Sequence, residues 1–180
     1  WSGTFHHIAN ILLRKYGARI GVPEHFTILD QDDSESLLKN IMKNHAPNTT
    51  YFPKPRVVKS ILSYCINSQT PVAEYLRTRY KDFPDHTAEI LEKIFAIYSE
   101  KKLASGNVDF DDMLFYWLRL LEEDQEVCHA LSDLFHYILV DEYQDTNRIL
   151  SKIIRLLAGV HKNILVVGDD AQSIYSFRAA

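Results

Sequence analysis

Two acidic clusters follow apolar runs near the end of the chain. Asp141-Glu142 follows Tyr137-Ile138-Leu139-Val140, and Asp169-Asp170 follows Ile164-Leu165-Val166-Val167-Gly168. A carboxylate at the tip of a buried strand can hold Mg²⁺ directly or through water and so neutralise phosphate charge. A second carboxylate beside it can orient or deprotonate an attacking water. Two acids after a strand can also simply cap the next helix, and for the pair alone that use is favoured. The longer string at 138–147, Ile-Leu-Val-Asp-Glu-Tyr-Gln-Asp-Thr-Asn, goes beyond what a cap requires.

Other constellations fail. His6-His7 is the tightest histidine pair, but no Cys/His partner follows at zinc-ligand spacing. Asp109, Asp111 and Asp112 resemble half a calcium loop, yet position 120 is Leu where the loop needs its closing Glu. Those acids read more simply as first-turn residues favoured by a helix dipole. No Gly-x-Ser-x-Gly or paired Cys/His supports covalent catalysis. Cys65 and Cys128 form no metal or redox spacing and read as buried thiols of a reducing compartment, hence a cytoplasmic expectation.

The acidic clusters need strands behind them, and the flanking pattern supplies these. Residues 137–140 and 163–167 read as strands, apolar but for Asn163 at the start of the second, with a helical stretch at about 146–157 between them. Strand, helix, strand of this kind is the βαβ signature of a parallel sheet covered on both faces, with ligands beyond the carboxyl ends. A parallel pair places the two acidic clusters side by side. Upstream the chain reads as mostly helix. Residues 4–16 carry Phe5, Ile8, Ile11 and Leu12 at helical spacing, with Gly17 as C-cap. The acidic run 30–33, its last members capping, opens a helix to about 44. Pro47, Pro53 and Pro55 mark a loop at 45–55; helices resume from Arg56, after Pro71 and after Pro84, the last ending near Gly106. Residues 108–123 form another amphipathic helix through Phe110, Met113, Leu114, Trp117, Leu118 and Leu121.

The 180 residues are 46% hydrophobic and 24% charged, with a net charge of −4, a globular composition. No apolar run approaches the roughly 18–20 residues of a membrane span. Residues 51–82 hold six cations against Glu74 and Asp82, whereas residues 85–146 hold fifteen acids against four cations. The acidic balance argues against sequence-blind coating of nucleic acid but leaves room for a local groove. Taken alone, the basic stretch reads as a solvated helix face.

Residues 141–147, Asp-Glu-Tyr-Gln-Asp-Thr-Asn, resemble the Walker B motif of superfamily 1 DNA helicases of the UvrD/Rep/PcrA type. Residues 168–178, Gly-Asp-Asp-Ala-Gln-Ser-Ile-Tyr-Ser-Phe-Arg, resemble their motif III. Gly3-Thr4-Phe5-His6 is similar to an early single-strand-contacting motif, and residues 108–114 to the segment that re-enters the first motor domain. The four matches stand in the family's order along the whole chain.

The resemblance implies an α/β fold: an incomplete RecA-like (P-loop NTPase) parallel sheet, interrupted by a mostly helical inserted subdomain. Residues 1–30 and 108–180 would belong to the first motor domain and 31–107 to the insertion, which in this family lies near the DNA. It further implies an ATP-dependent DNA helicase or translocase moving on single-stranded DNA and at single-/double-strand junctions, in repair or replication. Motor part of a helicase–nuclease, or a non-catalytic DNA-binding module, are the alternatives. ATP and Mg²⁺ are the implied cofactors, with no membrane partner.

By the same resemblance, Asp141 would position Mg²⁺, through water, and Glu142 would activate the water attacking the γ-phosphate. Gln172 would touch the γ-phosphate or that water and report nucleotide state. Tyr175 and Phe177 would contact bases, Arg178 would add charge near the strand, and Thr4, Phe5 and His6 would help form its track. Without the motif around them, Tyr175 and Phe177 read equally well as core packing. Three departures stand out. None of the six glycines opens a Gly-Lys-Ser/Thr loop. Ala179 replaces a usual Gly, and Leu150 a common Gln. The missing loop and second motor domain are expected in the remainder of a longer protein, leaving this piece inactive alone.

Overall fold

The computed structural model describes residues 1–47, 52–80, 83, 84, 86–169 and 171. Eight α-helices dominate these residues, with two small parallel sheets, so the chain is mostly helical with an α/β end. Helix α1 (Phe5–Tyr16) begins at Thr4, whose hydroxyl accepts the His7 N–H at 3.2 Å, one of the donors a helix start leaves unmatched. Gly17 ends it in right-handed geometry, so the chain tightens into a 3₁₀ turn (Gly17–Ile20). The left-handed stop comes at Gly21, with φ +83°.

Strand β1 (Thr27–Ile28) leads into α2 (Gln31–His45). Its cap is Asp30, the first member of the acidic run rather than the last, because only Asp30 is placed to accept the Asp33 N–H, at 2.8 Å. Helices α3 (Pro55–Ser68), α4 (Val72–Arg79) and α5 (Thr87–Ala104) follow. Strand β2 (Asn107–Val108) then pairs in parallel with β1, Thr27 opposite Asn107 and Ile28 opposite Val108. The chain therefore leaves and re-enters the same place, with α2–α5 as an excursion between two adjacent strands.

Helix α6 (Phe110–Glu123) is closed at its start by a reciprocal capping box between Asp109 and Asp112. Its Met113, Leu114, Trp117, Leu118 and Leu121 are buried as the periodicity requires, whereas Phe110 is 55% exposed. Helix α7 (Gln125–Leu134) was not legible: Asp124 both ends α6 and caps α7, so no breaker residue separates them. Strand β3 (Ile138–Val140), α8 (Arg148–Leu157, capped by Asn147) and strand β4 (Ile164–Val166) complete a parallel βαβ unit, with Val140 opposite Val166.

Apolar burial divides into two clusters. One gathers α1, α6, α7 and α8 around Leu12, Trp117, Leu120 and Ile153; the other gathers α2–α5 around Leu38, Ile61, Leu91 and Tyr98. Ile66 of α3 packs against both. The expected cover on both faces of β3–β4 is not found. Leu139 is 72% exposed and Leu165 57%, because among the described residues no third strand or outer layer packs there. No described helix is long and apolar enough to cross a membrane.

Candidate functional site

Val140, the last residue of β3, is 6% exposed, and the chain turns outward immediately after it. Asp141 and Glu142 thus stand at a strand's carboxyl end, exposed to solvent. The Asp141 carboxylate accepts the Glu142 N–H at 2.9 Å. Glu142 itself adopts φ +51°, ψ +45°, a left-handed conformation that costs a non-glycine residue of order 1–3 kcal/mol. Strain of this kind persists only where surrounding contacts impose it, and here they are visible. A 3₁₀ turn (Tyr143–Asp145) follows at once, the Thr146 hydroxyl donates to the Tyr143 carbonyl at 2.7 Å, and the Tyr143 N–H donates to the Val167 carbonyl at 2.9 Å.

Parallel pairing of β3 with β4 brings Asp169 beside the first acidic cluster, and a side chain missed by sequence reasoning joins them. Gln144 donates its amide to the Glu142 carboxylate and accepts the Asp169 backbone N–H, at 2.9 Å, on its carbonyl oxygen. Gly168 makes this approach possible. A Cβ there would lie 2.7 Å from the Gln144 Oε1 and 3.2 Å from the backbone nitrogens of Tyr143 and Gln144. The only sequence signal for Gln144 was its place inside the motif.

Thr4, Phe5 and His6 reach the same place from the other end of the chain. With Asp141, Glu142 and Asp145 they line one cleft of about 630 Å³. Phe5 lies 6.5 Å from the Trp117 ring, and His6 packs edge-on to Phe110 at 5.6 Å. Two buried polar atoms of the cleft-lining residues, Trp117 Nε1 and Asp145 Oδ1, have no hydrogen-bond partner in the described structure. Gln172, Tyr175, Phe177 and Arg178 lie outside the described residues, as do Asp170 and Ala179. Leu150 is buried in the first apolar cluster.

Asp141, Glu142 and Asp145 offer carboxylate oxygens at the cleft, the donor type a hard divalent cation takes. Among the described residues no group of three or more His, Cys, Asp or Glu side chains is placed to hold a metal ion.

A second polar assembly lies at the start of α6, where the sequence pointed only to a helix dipole. Lys102, 1% exposed, lies 2.8 Å from Asp109 and 2.5 Å from Asp112, while Lys59 lies 2.8 Å from Asp109 and 3.1 Å from Asp111. Tyr98 donates its hydroxyl to Asp109 at 2.8 Å. Burial opposes ionisation of Asp109, but the ammonium groups of Lys102 and Lys59 outweigh it and hold this carboxyl well below its ordinary range. Asp112 takes the opposite course: burial and the neighbouring Asp109 charge push it up to about 6. Lys59 of the basic stretch is therefore committed to an internal ion cluster and not to a solvated face. Burial also pushes the Cys65 thiol up to about 11 and raises that of Cys128, the reverse of what a nucleophile requires.

Comparison with known proteins matches residues 1–180 to the UvrD/REP helicase N-terminal domain. The chain is 34% identical over 180 residues to the ATP-dependent DNA helicase PcrA of Staphylococcus aureus and 38% identical over 181 residues to DNA helicase II of Haemophilus influenzae. All of the chain is covered in both matches, and it spans 24% of the length of each relative.

Proposed function

The chain belongs to the UvrD/REP helicase N-terminal domain family, and we propose that it forms part of the ATP-driven motor of a DNA helicase or translocase. The observation that carries this reading is the convergence on one cleft of Asp141 and Glu142 with Thr4, Phe5 and His6. A motor needs hydrolytic groups next to a strand track, and residues from opposite ends of the chain meet here in that relation. The names of the relatives, ATP-dependent DNA helicase and DNA helicase II, point the same way.

In this reading residues 1–30 and 108–180 are part of a first RecA-like domain, and 31–107 is a helical insertion. The separate apolar clusters and the β1–β2 pairing support that division. Glu142 takes a proton from a water as its oxygen bonds the γ-phosphorus and the bond to the β-phosphate oxygen breaks, ADP leaving with the electron pair. Gln144 and the turn hold Glu142 in place for this transfer. Asp141 is the residue that would hold Mg²⁺, and the cation when bound would offset phosphate charge. Gln172 meets the γ-phosphate or the water. Tyr175 and Phe177 stack on bases, Arg178 adds charge, and Thr4, Phe5 and His6 complete a track for single-stranded DNA and junctions. The 180 residues hold no Gly-Lys-Ser/Thr loop and do not turn over ATP by themselves.

The test is Glu142→Gln in the intact protein, which keeps size and hydrogen bonding but removes the base. ATP binding should survive while turnover falls by at least about two orders of magnitude. Near-normal kcat would remove Glu142 from this role.

A further inference from the structure

A directed chain of hydrogen bonds crosses from the helical excursion to the acidic loop. Asn67, near the end of α3, is 7% exposed. Its amide nitrogen donates to Asp111 Oδ1 at 2.9 Å and to the Ser63 carbonyl at 2.9 Å, and its oxygen accepts from Asn147 Nδ2 at 2.7 Å. Asn147 Oδ1 in turn accepts the Leu150 N–H at 2.9 Å as the cap of α8.

The polarity of this chain is forced. An ionised carboxylate only accepts, so Asn67 must turn its NH₂ toward Asp111 and its oxygen toward Asn147. Asn147 has its oxygen committed to the Leu150 N–H, so it must offer its NH₂. Flipping either amide would set two donors or two acceptors face to face inside the protein, where unmatched polar groups are costly. Lys59, 3.1 Å from Asp111 Oδ2, anchors the far end on the same helix α3. Asn147 directly follows Thr146, whose hydroxyl closes the turn after Glu142.

We propose that Asn67 is a positioning residue: through Asn147 it ties the placement of the Asp141–Glu142 loop to that of the helical segment 31–107. A displacement of α3 then shifts the loop bearing Glu142, giving a ligand on the helical segment a route to the hydrolytic site. This rests on the reading of Glu142 as the hydrolytic base.

The experiment follows hydrogen exchange of the peptide 141–147 in the intact protein, together with the kcat and KM of single-strand-stimulated ATPase. It compares wild type, Asn67→Ala, Asn147→Asp and Ser63→Ala. Asn147→Asp retains the cap oxygen of α8 but loses the donor to Asn67. Ser63→Ala removes another 2.9 Å bond to Asp111 and a long 3.4 Å one from the Asn67 amide, but leaves the Asn67–Asn147 and Asn67–Asp111 bonds in place. Exchange at 141–147 should quicken and kcat fall about tenfold in Asn67→Ala and Asn147→Asp, with KM for ATP within about twofold and Ser63→Ala near wild type. Unchanged exchange in both relay variants overturns the proposal. Equal loss in Ser63→Ala also overturns it, since that would mark general loosening. Quickened exchange with undiminished kcat overturns it too, provided Glu142→Gln abolishes turnover. If Glu142→Gln leaves turnover intact, the catalytic reading fails by itself, and the exchange measurement still decides whether Asn67 positions the loop.

Discussion

Gln144 Oε1 accepts the backbone N–H of Asp169 at 2.9 Å, tying the turn after β3 to the turn after β4. The same carboxamide donates to Glu142, so one side chain fixes the proposed base relative to both strands. A base must sit within hydrogen-bond reach of its water, and small misplacements are costly in rate.

Gln144→Ala should therefore lower ATP turnover of the intact protein by about tenfold, the equivalent of about 1.4 kcal/mol in the barrier. Gln144 is only half-buried, so the melting temperature should change little. Steady-state phosphate release beside a thermal melt checks this. A melt lowered in step with the rate would mean the bridge is merely structural.

Gly168→Ala should act through the same contact. Its new Cβ meets Gln144 Oε1 at 2.7 Å and two backbone nitrogens at 3.2 Å, so the turn must move. Turnover should fall at least as far as in Gln144→Ala. The double variant should be no worse than Gly168→Ala, because both remove one bridge. Multiplicative losses would show that the two residues act separately.

Asp141→Asn keeps the shape of the side chain and removes its charge. The Mg²⁺ concentration giving half-maximal turnover should rise by about tenfold or more, with little change in single-strand affinity. An unchanged Mg²⁺ titration would exclude Asp141 from holding the cation.

Lys102→Met tests the buried ion cluster. It leaves Asp109 and Asp112 without their shared cation at 1% exposure, and removing one partner of a buried pair costs about 3–5 kcal/mol. Lys59, at 18% exposure, should cost less when changed to Met. Urea unfolding of both variants measures the order, and equal small losses would show the cluster to be well screened.

Asp112 also gives the stability a pH dependence of definite sign. Its carboxyl titrates near 6 in the folded chain against an ordinary 3.8, so this group stabilises the fold fully below about 3.8 and the contribution is lost as pH rises through about 6. Three carboxylates face two ammonium groups in the cluster, and a proton on Asp112 balances them. Asp109, held low, contributes above 3.8 and loses its contribution only in stronger acid. Between pH 5 and 7 the urea midpoint should fall in the wild type and stay flatter in Asp112→Asn. Parallel curves would remove Asp112 from the dependence.

The sequence by itself determined the local elements and which acidic residues stand at the strand tip. The Gly17 cap, the prolines at 55, 71 and 84, and the 3.6-residue spacing of Met113, Leu114, Trp117 and Leu121 are short-range signals. So is the apolar run ending in Asp141-Glu142, and the βαβ order alone required β3 and β4 to lie parallel. Asn147 was within reach too, as an Asn just before an apolar periodic stretch.

Only the tertiary structure decided which distant groups meet. Lys59 and Asp109 are fifty residues apart, and Asn67 and Asn147 eighty. No local period encodes those pairings; they follow from how α3 lies against α6 and α8. The exposure of Leu139 and Leu165 is likewise a property of what packs on the sheet, since an apolar strand reads the same whether its second face is covered or open. Short-range physics writes itself into residue order, and long-range contact between side chains of matching charge and shape does not.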